Sequence, residues 1–131
     1  MVENDHHEIK FPGGGIFENE DEIDTLVREV KEETGYLVKV DTIRPFGIVE
    51  EKRLSEKENK IWHQTNIYFI CEVYRNKEES NFTEEELELN FREIIIHVDE
   101  AIRRNEIYIH SNTINKREYE VLKLIKEKFN L

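Results

Sequence analysis

Between Gly14 and Gly35 the chain sets glycine, acid and base at intervals that few backbones satisfy together. It runs Gly14, five residues, Glu20, seven residues, then Arg28-Glu29-Val30-Lys31-Glu32-Glu33-Thr34-Gly35. Three successive glycines, Gly13, Gly14 and Gly15, follow a short extended run at residues 8–12. A main chain of that composition can turn sharply and approach another group closely. Beyond it Ile23, Leu26, Val27 and Val30 recur at helical spacing. Asp21, Glu22 and Asp24 suit the positive end of a helix dipole, and Gly35 is placed to stop the helix. The spacing therefore predicts a helix over residues 21–34, entered through a glycine loop and carrying one apolar face.

Glu29, Glu32 and Glu33 share a sector of that helix, on a flank of the apolar stripe. Helix neighbours three and four apart stand about 5–6 Å from each other at Cβ, so the three carboxylates are expected to converge. Like charges so placed repel, and a hard divalent cation with oxygen ligands reverses the sign. An acidic helix face alone is more often a solvated surface. Here the intervals around it, rather than its glutamates, carry the argument.

Those intervals follow the pattern G-x5-E-x7-R-E-U-x-E-E-x-G-U, with U a bulky aliphatic residue, and residues 14–36 resemble the Nudix box. Tyr36 at the last position is the one departure. The resemblance implies a MutT-like Nudix hydrolase that cleaves a phosphoanhydride bond in a nucleoside diphosphate-linked compound or nucleoside triphosphate. It implies Mg²⁺, with Mn²⁺ as a substitute, held by Glu29, Glu32, Glu33 and the backbone carbonyl of Gly13. Arg28 is expected to point to a different side from the carboxylates and to brace Glu20 or Glu29 in bidentate fashion. Glu20 supports the loop. An additional acid from a downstream loop is sought in residues 83–87, with Glu86 the choice; Glu50 and Glu51 are weaker candidates, of which alternation lets only one face the site. A non-catalytic Nudix module that binds a nucleotide or a partner protein is the alternative. No substrate-binding residue is assigned. Where related subfamilies carry a proline for ADP-ribose or a tyrosine for dinucleoside polyphosphates, this chain reads Glu51-Lys52-Arg53-Leu54.

The rest of the chain reads as strands at residues 36–43, 46–53, 61–74 and 91–98, with a hairpin loop over 54–60. A short helix capped by Asp99 and a closing helix over residues 116–129 follow. The order suits an α+β domain over residues 1–131, one mixed sheet with helices packed on it. The resemblance implies an α/β/α sandwich, without its usual first strand, because only thirteen residues precede Gly14 and residues 1–7 read as polar. A late start codon, a fragment, or a strand lent by a partner chain in a homodimer would each account for that. His6 and His7 are expected at the surface, and Trp62 and Tyr68 in the core rather than against a base.

Composition excludes some classes. A net charge of −11 repels nucleic acid and anionic lipid, so neither is an expected partner and a small-molecule nucleotide or nucleotide sugar is. No apolar run has the length of a membrane span or signal segment. Cys71 is the one cysteine, which suits a reducing, cytoplasmic location.

Overall fold

A computed structural model describes residues 1–131. The chain opens with β1 (Val2–Glu3) and β2 (Ile9–Lys10), which pair antiparallel. His7 in the left-handed region at φ 62° turns the chain between them, and its N–H donates to Asn4 O at 3.1 Å. The other edge of β1 pairs with β7 (Arg92–Glu93), so β1 is the middle of three strands. Val2 is fully buried there. The polar reading of residues 1–7 missed this strand, because a single apolar residue gives no alternation to detect.

Helix α1 (Glu22–Thr34) forms where the spacing places it. Asp21 and Asp24 make a reciprocal capping box at its start, and Gly35, at φ 80°, donates to Lys31 O at its end. Val30 is buried, while Ile23, Leu26 and Val27 are only half-covered. α1 packs on β3 (Tyr36–Val38) and β7, and neither is long enough to roof its whole apolar face.

A 3-10 turn at Val40–Thr42 ends β3 sooner than the predicted 36–43 strand. β4 (Arg44–Ser55) and β5 (Lys60–Ile70) then form a long antiparallel hairpin with a bulge between Pro45 and Gly47. The predicted strand over 61–74 divides at Cys71 and Glu72, and β6 (Val73–Lys77) leaves β5 to pair with β3. Of residues 91–98 only Arg92 and Glu93 pair, since β1 offers them two partners.

The class is α+β, but in place of one mixed sheet the strands divide among three antiparallel sheets. Two of the pairings, β1–β2 and β4–β5, join strands adjacent in sequence, while β1–β7 and β3–β6 bring together strands far apart along the chain. α2 (Glu84–Glu88) starts on a Thr83–Glu86 capping box. α3 (Val98–Glu106) is capped by His97 Nδ1, which accepts from Asp99 N at 3.2 Å, rather than by Asp99, which pairs with Lys126 instead. α4 (Thr113–Phe129) starts ahead of the predicted 116 because Asn112 accepts from Ile114 N and Asn115 N.

α3 and α4 pack together over β2, where Ile9, Ala101 and Leu122 form the apolar centre. The outer edge of β2 is closed by a side chain. Asn105 accepts from Ile9 N at 3.2 Å and donates to Ile9 O at 2.9 Å, as a neighbouring strand would. Asn115 in turn donates to Asn105 and to His7 O. No helix is long and apolar enough to cross a membrane.

Candidate active site

Arg28 holds the outer half of the site. Its Nε and Nη2 donate to the two oxygens of Glu20 at 2.6 and 2.9 Å, a bidentate grip across two turns. Nη1 reaches Glu29 at 2.7 Å and Glu32 at 3.2 Å, and Nη2 also donates to Gly15 O at 3.1 Å. The guanidinium thus lies among the carboxylates rather than on another side of the helix, as the angular reading had it. A long side chain bends toward charge, which residue spacing does not register. The Phe17 ring lies 3.9 Å from the guanidinium carbon. Arg28 holds the Glu20 carboxyl down at about 2, and Phe17 N and Thr25 Oγ1 donate to it as well.

The glycine loop closes against the helix from the other side. Gly13 N donates to Glu33 Oε2 at 3.2 Å. Gly14 lies so close to Glu29 that any Cβ there would overlap the carboxylate, while a Cβ at Gly13 or Gly15 would meet nothing. The close approach permitted by the glycine cluster is therefore made by Gly14, a residue the sequence reading had used only as the start of the motif.

Burial dominates the inner carboxylates. Glu33 is 1% exposed, and burial pushes its carboxyl up to about 8, with Lys10 pulling the other way and Glu29 and Glu86 adding repulsion. Burial also raises Glu29, against the hydrogen bond from Arg28. Glu86 is thus close enough for its charge to act on both. The 78–82 segment brings α2 there, with Glu78 N donating to Gly35 O at 2.8 Å and Asn81 N to Glu32 O at 2.6 Å. Glu86 Oε1 accepts from Thr83 N at 2.9 Å, which fixes its rotamer. Lys10 and Phe17 have no periodic signal and were missed from sequence.

The weaker candidates are engaged elsewhere. Glu51 accepts from Asn66 and from Arg117 on α4. Glu50 turns to His63, 3.7 Å away. Tyr68 donates to Glu118 at 2.9 Å and meets Phe11 edge-on. Trp62, expected in the core, is 54% exposed on the hairpin, because no helix reaches that end of it. His7 stacks on Tyr108. A cavity of about 360 Å³ between β4 and α4, lined by residues including Phe46, Val49, Tyr68, Val121 and Leu124, holds none of the motif acids.

A family model described as NUDIX domain matches residues 2–117. The chain belongs to the Nudix family. Comparison with curated proteins and with solved structures returned no match. Nudix enzymes in general are pyrophosphohydrolases that use divalent cations. The match begins at Val2, so the family pattern takes in β1 as well as the motif.

The donor set fits a hard divalent cation in chemistry, being three carboxylates on adjoining turns with a backbone loop pressed against one of them. The carboxylates do not converge as helical spacing suggests. No three acidic, histidine or cysteine side chains stand at metal-holding distance. Arg28 draws Glu29 and Glu32 toward itself, and the Gly13 amide holds Glu33. Gly13 therefore presents its N–H to the carboxylates, where its carbonyl had been expected to contribute.

Proposed function

We propose that this chain is a MutT-like Nudix pyrophosphohydrolase, cleaving a phosphoanhydride bond in a nucleoside diphosphate-linked compound or a nucleoside triphosphate. The observation that carries this reading is the closure of the Gly13–Gly15 loop on Glu29 and Glu33, opposite the Arg28–Glu20 grip. Glu29, Glu32 and Glu33 would hold Mg²⁺ or Mn²⁺, together with a backbone oxygen of the Gly13 loop. When bound, the cation neutralises charge on the diphosphate and makes water a better nucleophile.

The chain's own groups do the rest. Arg28 keeps Glu20 ionised and holds Glu29 and the loop carbonyl of Gly15 in fixed relation. Glu86, oriented by its Thr83 contact, takes the proton from the attacking water. Glu33, 1% exposed, stands out of reach of bulk water on the inner face of the site. A net charge of −11 disfavours nucleic acid and anionic membrane as partners and supports a small nucleotide or nucleotide sugar as substrate. The α3–α4 pair packing back on β2 supports reading residues 1–131 as one domain, and the lone Cys71 supports a reducing, cytoplasmic setting.

One observation favours a non-catalytic Nudix module, namely the Arg28 contacts that hold Glu29 and Glu32 apart from Glu33. A nucleotide panel with Mg²⁺ or Mn²⁺, read for both thermal shift and product, separates the two. Hydrolysis that stops on chelation supports the enzyme. Thermal stabilisation of the protein by a nucleotide that it leaves unreacted supports the binding module and overturns the enzyme.

A further inference from the structure

The surface area of the chain is larger than its mass accounts for. It exposes 9272 Å², against about 7,300 Å² for a folded monomer of this size. The surplus of roughly 2,000 Å² exceeds the about 800 Å² that each partner buries in an ordinary stable interface. Most residues of the β4–β5 hairpin are exposed, and its strands pack chiefly on each other. A two-stranded hairpin is marginal in water unless one face is covered.

One face is covered. Glu51 and Tyr68 turn to Arg117 and Glu118 on α4. The opposite face, by strand alternation, carries Ile48 beside Ile67 at one end and Leu54 beside Ile61 at the other, with Glu50 and Lys52 between. Ile48, Leu54 and Ile61 are 64%, 68% and 74% exposed. Two exposed apolar pairs flanking a charged centre on one uncovered strand face offer a second surface something to bury.

We propose that this face packs on the same face of a second copy of the chain, about a two-fold axis lying across the strands. The pattern of the face is self-complementary. A two-fold axis between Glu50 and Lys52 reverses the hairpin, so that Glu50 meets Lys52 of the other copy twice over and the Ile48 end meets the Leu54 end. Two copies each carrying a net charge of −11 repel, and this face, with Glu50 and Lys52 in balance, is one on which they can close. His63, 3.7 Å from Glu50, adds no acid to it.

The test is sedimentation equilibrium of the full chain across a dilution series. The wild type is expected at twice the 15.8 kDa chain mass when concentrated, dissociating on dilution. Glu50→Lys and Lys52→Glu each bring like charges together and should weaken the dimer about tenfold or more, and the double exchange should restore it. Both sites are exposed, and far-UV circular dichroism confirms that the variants stay folded. Ile61→Lys should leave a monomer. A wild type that is monomeric at every concentration overturns the proposal. So does a dimer indifferent to the single substitutions, or one that the double exchange fails to restore.

Discussion

Gly13 N donates to Glu33 Oε2 at 3.2 Å, which ties the loop before the helix to a carboxylate near the helix's end. It is the one hydrogen bond the buried Glu33 side chain receives, so the acid is under-solvated where it stands. Such a group is kept for function at a cost to stability. Glu33→Gln retains an acceptor for Gly13 and removes a carboxyl that burial pushes up to about 8, and with it the cost of taking up a proton on folding at neutral pH. In chelator at neutral pH it should melt about 3 °C or more above the wild type while losing activity. A lower melting temperature would show that Glu33 serves the fold.

Gly14 separates loop flexibility from close approach. Gly14→Ala drives a methyl into the Glu29 carboxylate, whereas Gly13→Ala and Gly15→Ala enter open space. The first should cut turnover about tenfold or more, and the other two should leave it within about twofold. Equal effects at all three positions would mean that the loop acts through backbone freedom alone.

Arg28→Lys keeps the charge and loses the fork. Lysine cannot span both Glu20 oxygens, Glu29 and Gly15 O together. Turnover should fall about tenfold to a hundredfold, with the far-UV spectrum unchanged. A wild-type rate would reduce the grip to a surface ion pair.

Much of this site was legible in the sequence, and the reasons differ by residue. The Asp21 cap, the Gly35 stop and the sector shared by Glu29, Glu32 and Glu33 depend on local helix geometry, which spacing encodes. Where the Arg28 guanidinium goes depends on which charges a flexible side chain finds, so it did not follow from its angle on the helix. Val2 and the Asn105 closure of β2 are long-range, joining residues about a hundred positions apart. No local pattern announces such a contact. The same holds for the sheets, since alternation marks a strand without saying which partner it will find.

Glu86 is set apart from its neighbours by place rather than type. Glu86→Gln keeps the cap to Thr83 and removes the proposed base, so turnover should drop about tenfold to a thousandfold at unchanged melting temperature. Glu84→Gln and Glu85→Gln, on the same exposed turn, should match the wild type.

Glu3 carries the pH dependence of the three-stranded sheet. It is half-buried, which alone would raise its carboxyl, but hydrogen bonds from Arg104 at 2.6 Å and Arg92 at 2.9 Å hold it below its ordinary value of 4.5. A depressed carboxyl stabilises the fold above the unfolded value and loses that contribution as pH falls through the folded one. Glu3→Gln should therefore cost about 1 kcal/mol at pH 7, and the difference from wild type should shrink as acid titration proceeds below pH 4.5. A gap that stays constant with pH would place the effect in packing.

The initial rate of nucleotide hydrolysis at saturating Mg²⁺, measured for the wild type, Glu32→Gln and Glu33→Gln, tests the carboxylate assignment most directly. The account predicts product release that chelator abolishes, and a loss of roughly a hundredfold or more in each variant. Wild-type rates in both variants, or hydrolysis that proceeds unchanged in chelator, would contradict it.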